Sequence, residues 1–373
     1  MSAGPVASPP ASPPPRHLRA RRALLIVVAA GMLTGVLAGL GRLGVGVAWG
    51  PRYALDHGPL LVLGAFGTVI ALERAVALGQ AWALAAPALG AAGAIAMLAG
   101  APWAASLAVA STLALVVLNA AIVRRQAATF TWLMLLGSTL LTVGAVAWAG
   151  GQPVARAVPA WLGFFVLTIV AERLELSRLA PTPRWARRLL AALAVALAAS
   201  TAAATLGAAH ALRVAGVALA ALAAWQLRFD LARHTVRRPG LPRFAATGVL
   251  AGAAWLLATG LLLAAREVPP AGPLHDAAVH GVLVGYVLSM VFAHAPIILP
   301  AVGRVTVRFT PLLYAPLAAL HGGLALRVLG DLVGEPAWRR DGAIASALAL
   351  ALFALTVVGA RVAPSGGRRA GRG

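Results

Sequence analysis

The side chains in this sequence best suited to chemistry are histidines, and they are few: eight in 373 residues, with no cysteine. Lack of cysteine removes disulfides, thiolate zinc sites, iron–sulfur clusters and covalent c-type haem, while non-covalent haem and histidine-bound metal stay open. Five histidines fall within or at the ends of apolar blocks. His57 follows Asp56 at the head of LDHGPLLVLGAFGTVIALERAVALG, which closes on Glu73 and Arg74. His275, Asp276, His280 and His294 lie in HDAAVHGVLVGYVLSMVFAHAPIILPAVGR, and His321 in the next block. The others, His17, His210 and His234, sit in a tail, at a helix junction and in an arginine-rich loop, positions that read as solvated or interfacial.

Imidazoles inside a membrane are costly to bury, which makes His280, His294 and His321 functional candidates; His57 and His275 could also be plain interfacial residues. On a helix, His280 and His294 share one face at levels roughly 21 Å apart. Asp276 precedes His280 by one turn on that face and could accept its N–H, orienting the ring as a ligand. Two imidazoles at equal depth on different helices are what a bis-histidine haem needs, so His57 with His280 (or His275) is a candidate pair of axial ligands. Gly58, Gly64, Gly67, Gly281 and Gly285 would leave room for a macrocycle, although small residues also serve ordinary helix packing. The same segments offer a rival, a zinc or copper site of Asp56, His57, His275, Asp276 and His280.

Acidic and basic residues recur as Glu73–Arg74 and, in VLTIVAERLELSR, as Glu172–Arg173 followed by Glu175. Ion pairs closing helix ends account for both; the functional reading is a proton entry point with Glu172 or Glu175 as relay. Pro296 and Pro300 are expected to break or kink the helix just past His294.

These residues must be positioned by membrane helices. The chain is 61% hydrophobic and 11% charged, against roughly a quarter charged in soluble proteins. Its apolar residues come in blocks of ~20, the length that crosses a ~30 Å hydrocarbon layer as a helix. Short alternating segments of a β-barrel are not visible. The expected class is therefore an all-α integral membrane protein of about twelve spans: 23–41, 58–79, 81–100, 104–123, 127–149, 157–177, 187–208, 210–228, 244–265, 276–300, 310–330 and 341–361. A Pro/Ser/Ala-rich tail (1–22) and a basic tail (362–373) flank this single domain (23–361). The first apolar run is longer than a signal-peptide core and lacks a clear cleavage site, so it reads as a retained helix. No hydrophilic stretch is long enough to build a core of its own.

The net charge of +21 comes from arginine alone, which supplies all 31 basic residues. The arginines cluster between apolar blocks, not along one face with aromatic residues, which argues against nucleic-acid binding. Counted over the twelve spans with the N-terminus inside, 23 fall in cytoplasmic segments and 8 in outer ones. That bias predicts both termini in the cytoplasm of a bacterial-type inner membrane.

The unusual residues fall on the second, sixth and tenth spans. This spacing resembles the twelve-helix haem-copper oxidase subunit I family, with its three four-helix arcs. That resemblance implies a low-spin haem near the outer face, held by histidines on the second and tenth helices, where His57 and His280 stand. In length and helix count the chain is also similar to NnrS-like membrane haem proteins, which implies a link to nitric oxide. Its sixth and seventh spans have no histidine, so the family's copper site is expected to be absent, as are the tenth-helix histidine pair and the Tyr–His cross-link. The resemblance thus points to a diverged b-type haem protein in electron transfer or NO/O2 sensing or detoxification, not to an oxygen reductase. Electrons would come from a quinol or a redox partner protein. A proton-coupled secondary transporter with a broken tenth helix, centred on His294, Pro296 and His321, is the rival of a different class.

Overall fold

The computed structural model describes residues 15–46, 53–177, 182–303 and 307–360. Twelve of its helices are long and apolar enough to cross a membrane. The first six are α1 (Leu18–Arg42), α2 (His57–Leu78), α3 (Ala81–Ala99), α4 (Ala104–Arg125), α5 (Thr129–Ala149) and α6 (Val154–Leu176). The rest are α7 (Arg184–Thr205), α8 (Ala211–Phe229), α9 (Leu241–Ala265), α10 (Pro273–Leu299), α11 (Pro311–Val333) and α12 (Pro336–Gly359). No strand occurs among the described residues. Helices are the outcome hydrocarbon requires, because each helix satisfies its own backbone N–H and C=O groups.

Every expected span is present within a few residues. The closely joined pairs α3/α4 and α7/α8 are separate helices, divided at Gly100–Trp103 and Leu206–His210. One boundary moves: helix begins at Pro15, inside the expected N-terminal tail. Arginine favours helix and can reach toward the interface, so Arg19, Arg21 and Arg22 extend α1 without entering hydrocarbon. The remainder of that tail, the whole basic C-terminal tail (362–373), Arg178 and Arg304 lie outside the described residues, as do the side chains of Arg16, His17 and Pro300. Gly79 and Gly334 end α2 and α11 in the left-handed conformation, at φ 71° and 76°.

Short connections make neighbouring spans antiparallel, so all even-numbered helices begin at one face. We call it the His57 face; the opposite one, where α2, α6 and α10 end, is the Glu172 face. A large core runs from α2 through α10. A smaller one joins α9–α12, where Phe292 and Phe353 stack at 3.9 Å and 7°. α8 and α9 cross in backbone contact: a Cβ on Gly260 would lie against the Ala220 backbone nitrogen, and one on Gly216 would meet Ala264 N at 2.5 Å. Small residues let membrane helices approach to backbone contact.

Two helices carry a π-wound segment. Residues Leu60–Gly67 of α2 and Gly281–Leu288 of α10 are wound as π-helix, each starting within three residues of a candidate histidine. By contrast α10 continues as helix through Pro296 to Gly303, so the break expected there does not occur. One proline removes one backbone hydrogen bond, which packed neighbours in a membrane tolerate.

Gly260→Leu is expected to destabilise the protein by at least ~2 kcal/mol, because overpacking here must move backbone. Gly31→Leu, with nothing within 4 Å of its added Cβ, should leave the melting temperature in detergent unchanged.

Candidate functional site

The fold brings His57 of α2 and His280 of α10 together at the His57 face, with ring centroids 6.4 Å apart and planes inclined by 20°. The rings are nearly parallel but too far apart to touch face to face. Their partners fix the tautomer of the neutral rings. His57 Nδ1 lies 2.6 Å from the Gly35 carbonyl of α1. His280 Nδ1 lies 2.9 Å from the Asp276 carbonyl and 3.3 Å from its carboxylate. Each of those oxygens can only accept, so both rings carry the proton on Nδ1 and leave an Nε2 lone pair. Neither Nε2 has a hydrogen-bond partner among the described residues.

Asp276 is itself held in place. Arg327 of α11 grips its two oxygens at 2.7 and 2.8 Å. Arg339 of α12 lies 3.7 Å from Asp276 and 3.2 Å from Asp331, whose side chain is fully buried. A bidentate arginine fixes a carboxylate in orientation as well as in place, and Asp276 passes that constraint to His280. Gly39 of α1 fixes the other ring: a Cβ there would come within 2.5 Å of the His57 imidazole.

The remaining candidates go elsewhere. His275 is partly buried, with no ring contact or hydrogen bond to His57 or His280 among the described residues. Asp56, just before α2, makes no capping bond, and partial burial raises its carboxyl above the usual range. No group of three or more His, Asp or Glu suited to a metal ion forms among the described residues. His210 and His234 are exposed, as expected. The five glycines expected to leave room serve packing instead: Gly64 lies against Ala94, Gly281 against Thr259 and Gly285 against Trp255, with Gly58 against Val154 and Gly67 over the Val62 carbonyl.

His321 and His294 both have two engaged nitrogens. His321 Nδ1 accepts from Trp255 Nε1 at 3.0 Å. Its proton is therefore on Nε2, 3.2 Å from Ser289 Oγ, whose own hydrogen goes to the Gly248 carbonyl at 2.7 Å. His294 Nε2 accepts from Arg173 Nη1 at 3.1 Å, which leaves Nδ1–H to donate to the Met290 carbonyl at 2.8 Å. Neither ring has a lone pair to offer.

At the Glu172 face two ion-pair groups close the bundle. Arg173 binds Asp230 of the α8–α9 connection through two bonds, the Nε one at 2.9 Å. Arg74 lies 2.9 Å from Glu73 and 3.5 Å from Glu172, and also reaches the Met134 sulfur. Glu175 lies one turn beyond Glu172 with contacts of its own. Deeper in, Gln226 and Tyr286 bond each other reciprocally at 2.9 and 3.1 Å.

Sequence reasoning missed Arg327, Asp331, Asp230, Gln226 and Tyr286. All but Asp230 lie inside spans, and intramembrane polar residues are a signal in their own right. The partners of each become visible only when the helices are packed.

A family model described as Domain of unknown function (DUF8744) matches residues 21–362, and the chain belongs to that family. No curated protein and no solved structure matches it.

Arg173 and Asp230 are 11% and 2% exposed. Asp230→Ala is expected to cost about 3–5 kcal/mol by stranding a buried charge, whereas joint replacement by Arg173→Met and Asp230→Leu recovers most of it. Thermal melts of the three detergent-purified proteins test this.

Proposed function

We propose that this member of the DUF8744 family is a multi-pass membrane protein that binds b-type haem between His57 and His280. One observation carries the reading: of the five histidines in or at the ends of spans, these two share a site, with Nδ1 donating and Nε2 free. An iron bound by two imidazoles at about 2 Å, with ~1 Å from each nitrogen to its ring centre, sets the centroids roughly 6 Å apart. The observed 6.4 Å fits. The donor count also favours haem over a bare divalent ion, because zinc takes three or four protein ligands. Among the described residues His57 and His280 offer two, and Asp276 is committed to Arg327.

Bound haem would supply reversible one-electron chemistry. The chain's own part is to present two neutral imidazoles in a fixed tautomer, through Gly35 on one side and Asp276 on the other. The Nδ1–H bond to an oxygen acceptor raises the basicity of Nε2 as a ligand. Held by both His57 and His280, the group would supply electron transfer in preference to binding of NO or O2. A lipid-soluble quinol or a redox partner protein would exchange the electrons. The placement of His57 and His280 on α2 and α10 supports a likeness to the haem-copper oxidase subunit I and NnrS-like proteins. A histidine copper site is not part of the proposal, because α6 and α7 contain no histidine.

The reading includes a bacterial-type inner membrane with both termini cytoplasmic, which makes the His57 face the outer one. Its support is the arginine bias, 23 against 8. A periplasm-active reporter inserted in the 267–271 loop should be active and one fused at the C-terminus silent; the opposite pattern reverses the orientation.

The direct test is a dithionite-reduced minus air-oxidised spectrum of purified protein from haem-replete cells. A Soret band with a sharp α-band is expected, lost in His57→Ala and in His280→Ala but kept in His294→Ala and His321→Ala. A flat spectrum from folded wild-type protein would overturn the assignment, and metal analysis would then decide whether the pair holds copper.

A further inference from the structure

At the Glu172 face α1, α2, α6 and α10 enclose a cavity of about 210 Å³ that the haem reading does not use. Its walls are apolar and aromatic. Phe66 and Phe165 meet edge to face across it, with centroids 5.7 Å apart. Its polar surface is Glu73, Glu172, Thr168, Arg173 and His294. At the rim Leu25 of α1 and Ile298 and Leu299 of α10 are partly exposed on the side of the bundle, so the cavity opens laterally toward lipid.

The charges have one sign left over. Arg173 faces the cavity but is neutralised by its two bonds to Asp230, and His294 accepts from the same arginine. Arg74 is shared by two carboxylates and sits closer to Glu73, at 2.9 Å, than to Glu172, at 3.5 Å. Glu172 receives no hydrogen bond among the described residues, and its side chain keeps 23% of its surface, on the cavity it lines. An under-served carboxylate among apolar walls repels anions and rewards a positive charge. Aromatic ring faces add to that preference. The volume is smaller than a typical drug-sized pocket of roughly 300 Å³ or more, so the ligand is no larger than one substituted ring or a compact alkyl group.

We propose that this cavity binds the ammonium group of a small lipid-soluble organic cation, with Glu172 as its counter-ion and Phe66 and Phe165 against its apolar part. The ammonium could belong to a free amphipathic amine or to a phospholipid headgroup. A phosphate beside the ammonium would meet the same carboxylates, which favours the free amine.

The probe is radiolabelled benzyltrimethylammonium, measured by equilibrium dialysis against the full chain in dodecyl maltoside. Neutral benzyl alcohol and anionic benzenesulfonate serve as charge controls. Saturable one-to-one binding of the cation is expected, with neither control competing. Glu172→Gln should weaken binding at least tenfold. Leu25→Trp, which fills the mouth and touches no charge, should weaken it too, and it decides the matter if the first variant fails to fold. Displacement of the probe by phosphatidylethanolamine but not phosphatidylglycerol would support the ammonium site and assign it to lipid; no displacement by either would support it and assign it to a free amine. Equal binding of benzyl alcohol, no binding of the cation, or unchanged binding in a well-folded Glu172→Gln protein would each overturn the proposal. His280→Ala should bind the probe normally, which separates this site from the haem site.

Discussion

In hydrocarbon a polar group finds its partner inside the protein or stays unpaired at high cost. That constraint makes every span a helix, and it also governs the side chains between the helices. Tyr286 has Gln226, Ser289 has the Gly248 carbonyl, His321 has Trp255 and Ser289, and His294 has Arg173 and Met290. Against that background the Nε2 atoms of His57 and His280 have no hydrogen-bond partner among the described residues, and unlike the unpaired Trp161 Nε1–H each offers a lone pair when its ring is neutral.

The charged residues divide between the two ends of the bundle, and the division gives each end its character. At the His57 face two arginines meet two aspartates: Arg327 holds Asp276, and Arg339 lies between Asp276 and Asp331. At the Glu172 face Arg74 is shared by two glutamates. Buried ion pairs add little net stability but are costly to break, so their effect is to fix which helices meet and in what register. Asp276 ties α10 to α11 and α12, and Asp230 ties the α8–α9 connection to α6.

The two π-wound segments show how the site is aimed. A π turn inserts an extra residue into the helix and rotates everything on one side of it relative to the other. In α2 and α10 these segments lie between the histidines at one face and the ion pairs at the other. His57 and Glu73, or His280 and His294, therefore need not keep the relative directions of an ideal helix. The fourteen-residue spacing that puts His280 and His294 on one ideal face ends, in the folded chain, with one ring held through Nδ1 by Asp276 and the other bound also to Arg173.

Much of this was legible in the sequence for a local reason. Apolar blocks of bilayer length specify spans, whatever their neighbours, so all twelve helices could be read from residue type alone. The equal depth of His57 and His280 followed from counting residues along antiparallel spans, and the reach of Asp276 to His280 from the spacing of one helical turn. What tertiary structure decided was direction around each helix axis. The partners of His294, His321 and His57 come from 121, 66 and 22 residues away. The glycine that matters to His57 is Gly39 on another span, while the nearby glycines expected to make room are spent on packing. A helix written as sequence has a length and a pattern. Its azimuth is set only when neighbouring helices close around it, and azimuth determines whether an imidazole meets an arginine, an indole or another imidazole.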